Sequence, residues 1–155
     1  LYNGPSYLRM GFGNLPTSRF PATYSPIRKF ASGNQFTILA LGPVTLNALQ
    51  GIENAKVDCD VFAISEAPIT ELSNEFIQSV QKTKKLLIIE EHSVRGGIGE
   101  MVTYLLAKAG VSYQLHHRFA LGYPNKKYGN QSYHQQLSGL DSESLARLVT
   151  EASRA

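Results

Sequence analysis

No run of the chain reaches about 18 apolar residues, the length a helix needs to cross a bilayer, so no helical membrane span is expected. The opening residues, Leu1-Tyr2-Asn3-Gly4-Pro5, lack the basic and apolar stretches of a secretory leader, and they lack an initiator Met. They read as the start of a piece cut from a longer chain. Cysteine occurs once, as Cys59, which excludes an internal disulfide and fits a reducing, cytoplasmic compartment. Set inside an apolar run, that thiol reads as a buried packing residue rather than a nucleophile. Charge is sparse as well: 17% of residues are charged, against roughly 25% in an average domain. Either another domain or subunit covers part of the surface, or Ser, Asn, Gln and Tyr supply its polarity. The cation excess is only +3 and forms no stripe. Lys82, Lys84 and Lys85 fall where a helix should end and would complement its dipole. Lys126 and Lys127 fall in a polar loop, so nucleic-acid binding is not expected.

What is present suffices for one domain with a core: 155 residues, 43% of them hydrophobic. Tyr7 to Met10 reads as a strand, broken by Gly11-Phe12-Gly13-Asn14-Leu15-Pro16. From there to Pro26 no periodicity appears. Residues 1–25 are therefore expected to be the last strand of a preceding domain plus a linker, and 26–155 a domain of their own. Beyond the linker, apolar runs at Phe36–Leu41, Cys59–Ile64, Leu86–Ile89 and Val111–Leu115 predict strands. Helical spacing links Leu46, Ala48 and Leu49, then Leu72, Phe76, Ile77 and Val80, then Ile98, Val102, Leu105, Leu106 and Ala109. Asp141 suits an N-cap before a last amphipathic helix through Leu145, Leu148, Val149 and Ala152. Unbroken apolar strands alternating with amphipathic helices predict an α/β fold of three layers (α/β/α), with a mostly parallel, roughly five-stranded sheet. The Tyr123–His134 segment reads as a polar surface or interface loop. His116 and His117 are adjacent on a strand and point to opposite faces, so they do not chelate together.

Leu86 through Glu100 is the segment richest in chemistry. A buried strand delivers Glu90, Glu91 and His92 at its C-terminal end, and Gly96, Gly97 and Gly99 then open a helix. That edge of an open α/β sheet is where ligands bind, and free helix amides attract anions. A P-loop would need Lys and Ser/Thr after the glycines, and Glu100 stands there instead. Dinucleotide G-x-G-x-x-G spacing is missing. A metal would need more ligands than the single nearby imidazole of His92. Against these readings stands a structural one, in which the glycines allow close helix-to-strand packing and the Glu-His pair bonds across an interface.

The run Glu90-Glu91-His92-Ser93, followed by Gly96-Gly97 and Gly99-Glu100, resembles the C-terminal domain of transketolases and 1-deoxyxylulose-5-phosphate synthases. Gly4-Pro5-Ser6-Tyr7-Leu8-Arg9, Phe36 to Val44, Ala67-Pro68-Ile69 and Gly139-Leu140-Asp141 extend the resemblance over nearly the whole chain. It implies a three-domain enzyme that uses thiamine diphosphate and Mg²⁺, in which two other domains hold the cofactor and supply its activating glutamate. The domain seen here would be structural and would support a homodimer. By this resemblance the segment carries no catalytic, cofactor or metal residue of its own and is inactive alone, and Glu90, Glu91, His92, Gly96, Gly97 and Gly99 are structural or interface candidates. Where the family carries a phosphate-contacting arginine, Phe12 stands, so Phe12 and the nearby Arg9 are the substrate-proximal candidates. The expected whole is a transferase moving a two-carbon ketol unit between sugars, partnered by its own cofactor-binding domains on the same chain or a separate subunit. Alternatives are a deoxyxylulose-phosphate synthase, the β subunit of a 2-oxo acid dehydrogenase, or a non-catalytic α/β binding or assembly module.

Overall fold

Three strands, β2 (Phe36–Leu41), β3 (Cys59–Ile64) and β4 (Lys85–Glu90), are buried on both faces almost throughout, so each needs cover above and below. A computed structural model, which describes residues 4–7 and 23–154, supplies that cover with helices. The strands run parallel, with β5 (Gln114–Phe119) parallel beyond β4 and β1 (Ile27–Ala31) antiparallel beyond β3, in the order β1-β3-β2-β4-β5. Alternation along the strands divides the core. Ile38, Ala40, Leu87 and Ile89 pack with Ala48 and Leu49 of α1 (Thr45–Ala55) and Leu145, Leu148 and Val149 of α5 (Ser142–Arg154). Leu39, Leu86 and Ile88 face the other way, onto Phe76 and Val80 of α2 (Asn74–Thr83) and Val102 and Leu106 of α3 (Ile98–Lys108). The result is the three-layer α/β/α sandwich expected from the sequence.

The helices start where their caps stand. Ser73 Oγ accepts the Phe76 amide at 3.3 Å, and Leu72 and Ile77 flank that turn in the positions of a hydrophobic staple. Asp141 Oδ1 accepts the Ser144 amide at 3.0 Å, the capping role predicted for it. Since β2 connects to β3 on one side and β4 to β5 on the other, the chain reverses its direction of travel between β2 and β4. The C-terminal end of β4 therefore sits at the topological switch point.

Three elements depart from the sequence reading. The fourth parallel strand begins at Gln114 rather than Val111, because the Val111 amide closes the end of α3 by donating to Leu106 O. A helix α4 (Gln131–Ser138) occupies part of the segment read as a loop. Asn130 caps it and Gly139 ends it, but only Ser138 along it is buried, so apolar periodicity could not disclose it. The fifth strand, β1, follows Pro26 inside the 26–155 domain, in a stretch where the sequence reading places no strand, and pairs at the sheet edge with β3. The strand expected at Tyr7–Met10 falls outside the described residues beyond Tyr7, as do Arg9 and Phe12.

A polar cluster lies at the opposite, N-terminal end of the strands. Asp60, 1% exposed, bonds to Lys29 and Lys82 at 2.8 Å each, to Ser79 Oγ at 2.6 Å and to the Gly33 amide at 3.0 Å. Burial alone would raise its pKa, but these donors hold it well below the usual carboxylate range. Beside it, burial and the carboxylates of Asp58 and Asp60 push the Cys59 thiol up to about 12, so it stays protonated.

His116 behaves oppositely. Burial, then Arg118 and Lys85, lower its pKa, and its buried Nε2 has no partner while the ring packs 5.6 Å from Phe36. A folded-state pKa below the ordinary 6.5 means that the unfolded chain takes up the proton first. Stability from this site is thus complete above pH 6.5 and declines as pH falls below it. Urea midpoints at pH 7 and 5 should drop for the wild type and drop less for His116→Phe; parallel drops would contradict the assignment.

Candidate functional site

Strand alternation determines what the C-terminal end of β4 can do. Leu86, Ile88 and Glu90 share the face that meets α2 and α3, and the parallel register sets Leu115, His117 and Phe119 of β5 on that same face. Glu90 thus leaves the core fully buried, with His117 on the neighbouring strand and the start of α3 above it. Its carboxylate accepts from His117 Nε2 at 2.8 Å, from the Ile98 amide at 2.8 Å and from the Gly99 amide at 3.0 Å. The residue preceding α3 is Gly97, which has no side chain to cap the helix. Glu90 performs that capping from a different element, with its negative charge at the positive end of the helix dipole. Burial works to raise the Glu90 pKa, but the bonds from His117 and the two amides outweigh it and hold the carboxyl below its ordinary value.

The glycines exist to let this happen. A Cβ at Gly97 would fall inside 3.0 Å of both Glu90 carboxylate oxygens, and one at Gly99 would fall equally close to the His117 ring. Close helix-to-strand packing, one half of the structural reading, is therefore what this spacing achieves. Gly96 turns the chain at φ 70°, and its amide donates to Glu100 at 2.9 Å.

The other charged residues of the motif disperse. Glu91 faces α4 and accepts from Gln131 Nε2 at 2.9 Å and Gln135 Nε2 at 2.7 Å, which ties that helix to the sheet end. His92 is exposed, with Nδ1 3.3 Å from Ser93 O, while its carbonyl accepts the Ala120 amide at 3.0 Å and joins the loops that follow β4 and β5. Among the described residues, the Glu91 carboxylate meets α4 and the His92 ring meets Ser93. The imidazole that meets a carboxylate is His117, which the sequence reading missed because adjacency pairs it only with His116. Alternation and parallel register are the signals that place it opposite Ile88, on the face of Glu90 and diagonal to it.

Chemically, the arrangement is closed. The Ile98 and Gly99 amides, which could otherwise cradle a phosphate, hold an internal, ionised carboxylate, and Glu100 takes the Gly96 amide in the turn before the helix. Among the described residues, no three His, Cys, Asp or Glu side chains converge to hold a metal. The start of α3 therefore does not fit the diphosphate of a thiamine cofactor, and no cluster among the described residues fits its Mg²⁺.

Removing the cap should be costly. Glu90→Ala leaves two buried amides and His117 without an acceptor, and is expected to lose about 3–5 kcal/mol of folding stability. Gly99→Ala should lose about 1–3 kcal/mol by overpacking against His117, and Glu100→Ala, at an exposed site, less than about 1 kcal/mol. Urea denaturation of the three variants checks the order, and a Glu100 loss equal to that of Glu90 would contradict it.

Comparison with known proteins agrees with this architecture. Residues 27–144 match the family described as "Transketolase, C-terminal domain". The chain is 24% identical over 159 residues to a 1-deoxy-D-xylulose-5-phosphate synthase of Bacteroides fragilis, covering 96% of the chain and 24% of that enzyme. It is 29% identical over 162 residues to a putative transketolase C-terminal section of Methanocaldococcus jannaschii, covering 97% of the chain and 48% of the relative. In fold it is similar to a split-gene transketolase described as an inactive beta4 tetramer, with a TM-score of 0.66 at 22% identity over 84% of this chain and 44% of that one. The chain spans from about a fifth to about half of the length of the curated relatives it matches. By its sequence and its fold, it belongs to the transketolase C-terminal domain family and is a C-terminal section of that transketolase and deoxyxylulose-phosphate synthase group.

Proposed function

We propose that the chain is the structural, assembly-supporting section of a thiamine diphosphate-dependent transferase that moves a two-carbon ketol unit between sugars. The observation that carries this reading is the closed site. Among the described residues, the place where a carboxylate, an imidazole and helix amides converge uses Glu90, His117 and the Ile98 and Gly99 amides on one another, so its role is to hold the domain's working edge in shape. The cofactor-binding domains are then the partners, on the same chain or on a separate subunit, in a homodimeric or higher assembly. A relative from Actinobacillus succinogenes, named as one subunit of an apulose-4-phosphate transketolase, is matched over 49% of its length and favours separate subunits. Several relatives named as deoxyxylulose-phosphate synthases favour a second reading, in which the same section serves that reaction.

In this reading residues 1–25 end the pyrimidine-binding domain and 26–155 form the C-terminal domain, a boundary supported by the family match beginning at residue 27. Arg9 and Phe12 are then the substrate-proximal residues. Phe12 cannot make the charge-assisted bonds that a sugar phosphate favours, so Arg9 is the candidate for that contact.

Two measurements test the proposal. Titration of the chain alone with thiamine diphosphate and Mg²⁺ should give no binding heat, and micromolar binding would overturn it. The His92 ring, exposed and bonded among the described residues only to Ser93, should be silent in the isolated chain: His92→Ala keeps the backbone bond to Ala120 and should change stability by no more than about 0.5 kcal/mol. In the complete assembly the same variant should weaken subunit association and leave turnover of the assembled protein nearly unchanged. An intact assembly with turnover cut by roughly 10²–10⁴ would instead identify a general acid or base.

A further inference from the structure

The charges of the chain are unevenly placed. Residues 101–140 contain no Asp or Glu, yet they hold Lys108, Arg118, Lys126 and Lys127 and five of the eight tyrosines. Residues 1–52 also lack acids, but the described cations there are engaged: Lys29 pairs with Asp60 and Glu75, and Arg28 bonds Ser65. No ion pair joins Arg118, Lys126 or Lys127 to an acid among the described residues. Lys108 lies at the far end of α3, and the other three belong to β5 and the loop after it.

That loop is unusual in what it exposes. Residues 121–130 are all exposed, and they include Leu121 at 51%, Tyr123 at 61% and Tyr128 at 92%. The aromatic rings are organised rather than scattered. Tyr123 stands 5.8 Å from Tyr128 and 5.1 Å from His134, which in turn lies 5.2 Å from Tyr133. The carbonyl of His92 and the Gln131 and Gln135 bonds to Glu91 fasten the two ends of the loop to the sheet, so the rings are presented on an anchored platform. Tyrosine is enriched where protein partners bind, because it offers large contact area and a hydroxyl at little cost in entropy. Unpaired cations around such rings ask for carboxylates opposite them.

We infer that the β5 edge and the loop of residues 121–130 form a docking surface for a partner protein whose contacting face is acidic around an apolar centre. Tyr123, Tyr128 and Leu121 would occupy that centre, and Lys126, Lys127 and Arg118 would meet the surrounding carboxylates. A second copy of the same face does not fit, since it would set cation against cation. A polynucleotide fits less well, because two adjacent lysines and one arginine do not track a phosphate backbone. The inference rests on charge and exposure alone and is independent of whether the whole protein transfers ketol units.

The test uses the full chain and a labelled random copolymer of glutamate and tyrosine as the acidic, apolar probe. Polyglutamate and a single-stranded oligothymidylate serve as controls, at low salt where surface charges act. Fluorescence anisotropy should show the copolymer binding more tightly than either control. Affinity should fall at least about tenfold for Lys126→Glu/Lys127→Glu and also for Tyr128→Ala, while melting temperatures stay at the wild-type value because these side chains are exposed. Absence of copolymer binding, unchanged affinity in the variants, or oligothymidylate bound as tightly as the copolymer would overturn the inference. A cofactor-binding result from the chain would bear on the enzymatic reading and leave this one standing.

Discussion

A single buried carboxylate holds together the working end of this domain. Glu90 terminates the interior strand β4, caps α3 from outside the helix and reaches across to His117 of the edge strand. Three elements that are distant along the chain thereby meet at one pair of oxygens. The cost of burying the charge is offset by three donors, two of them at the positive end of a helix dipole. Gly97 and Gly99 follow from this requirement, since side chains at either position would occupy the space of the carboxylate or the imidazole.

The sheet is fastened at its other end by a second buried carboxylate. Asp60 collects Lys29 from β1, Ser79 and Lys82 from α2 and the Gly33 amide from the β1–β2 connection. The two clusters share a logic, in which strand residues at the margins of an apolar sheet are made acidic to gather donors from elements that pack there. They differ in exposure of the surroundings. The Asp60 end is enclosed by its own lysines, whereas the Glu90 end carries exposed His92 and the exposed loop after β5. Under the function proposed above, with the cofactor held by other domains, this end would contribute shape and contact surface rather than chemistry.

Much of this was legible from the sequence, and the failures have physical causes. The buried strands announced themselves because unbroken apolar runs such as Leu86–Ile89 have few other uses at that length. Asp141 was legible as a cap because the interaction is local. Asp60 was hidden inside an apolar run, where its neighbours mask the charge. His117 was hidden because its partner lies on another strand, and only the register brings Glu90 into reach. Helix α4 escaped because its stabilising contacts are polar: Asn130 at its start, and Gln131 and Gln135 bonded to Glu91. The motif itself stands out in the sequence, but its residues separate into a buried cap (Glu90), a tether (Glu91) and an exposed position (His92), a division that spacing alone does not reveal.

The central claim is that Glu90 satisfies the first turn of α3 from a neighbouring strand. First-turn amides of a helix ordinarily lack an intrahelical acceptor and exchange readily with solvent. Native-state hydrogen exchange, resolved at individual amides, tests the claim most directly. The account predicts that the Ile98 and Gly99 amides exchange as slowly as those of Leu87 and Ile88 in the interior strand β4, and that Glu90→Gln accelerates them selectively. Rapid exchange at Ile98 and Gly99 in the unaltered chain, matching the exposed turn at Arg95, would contradict it.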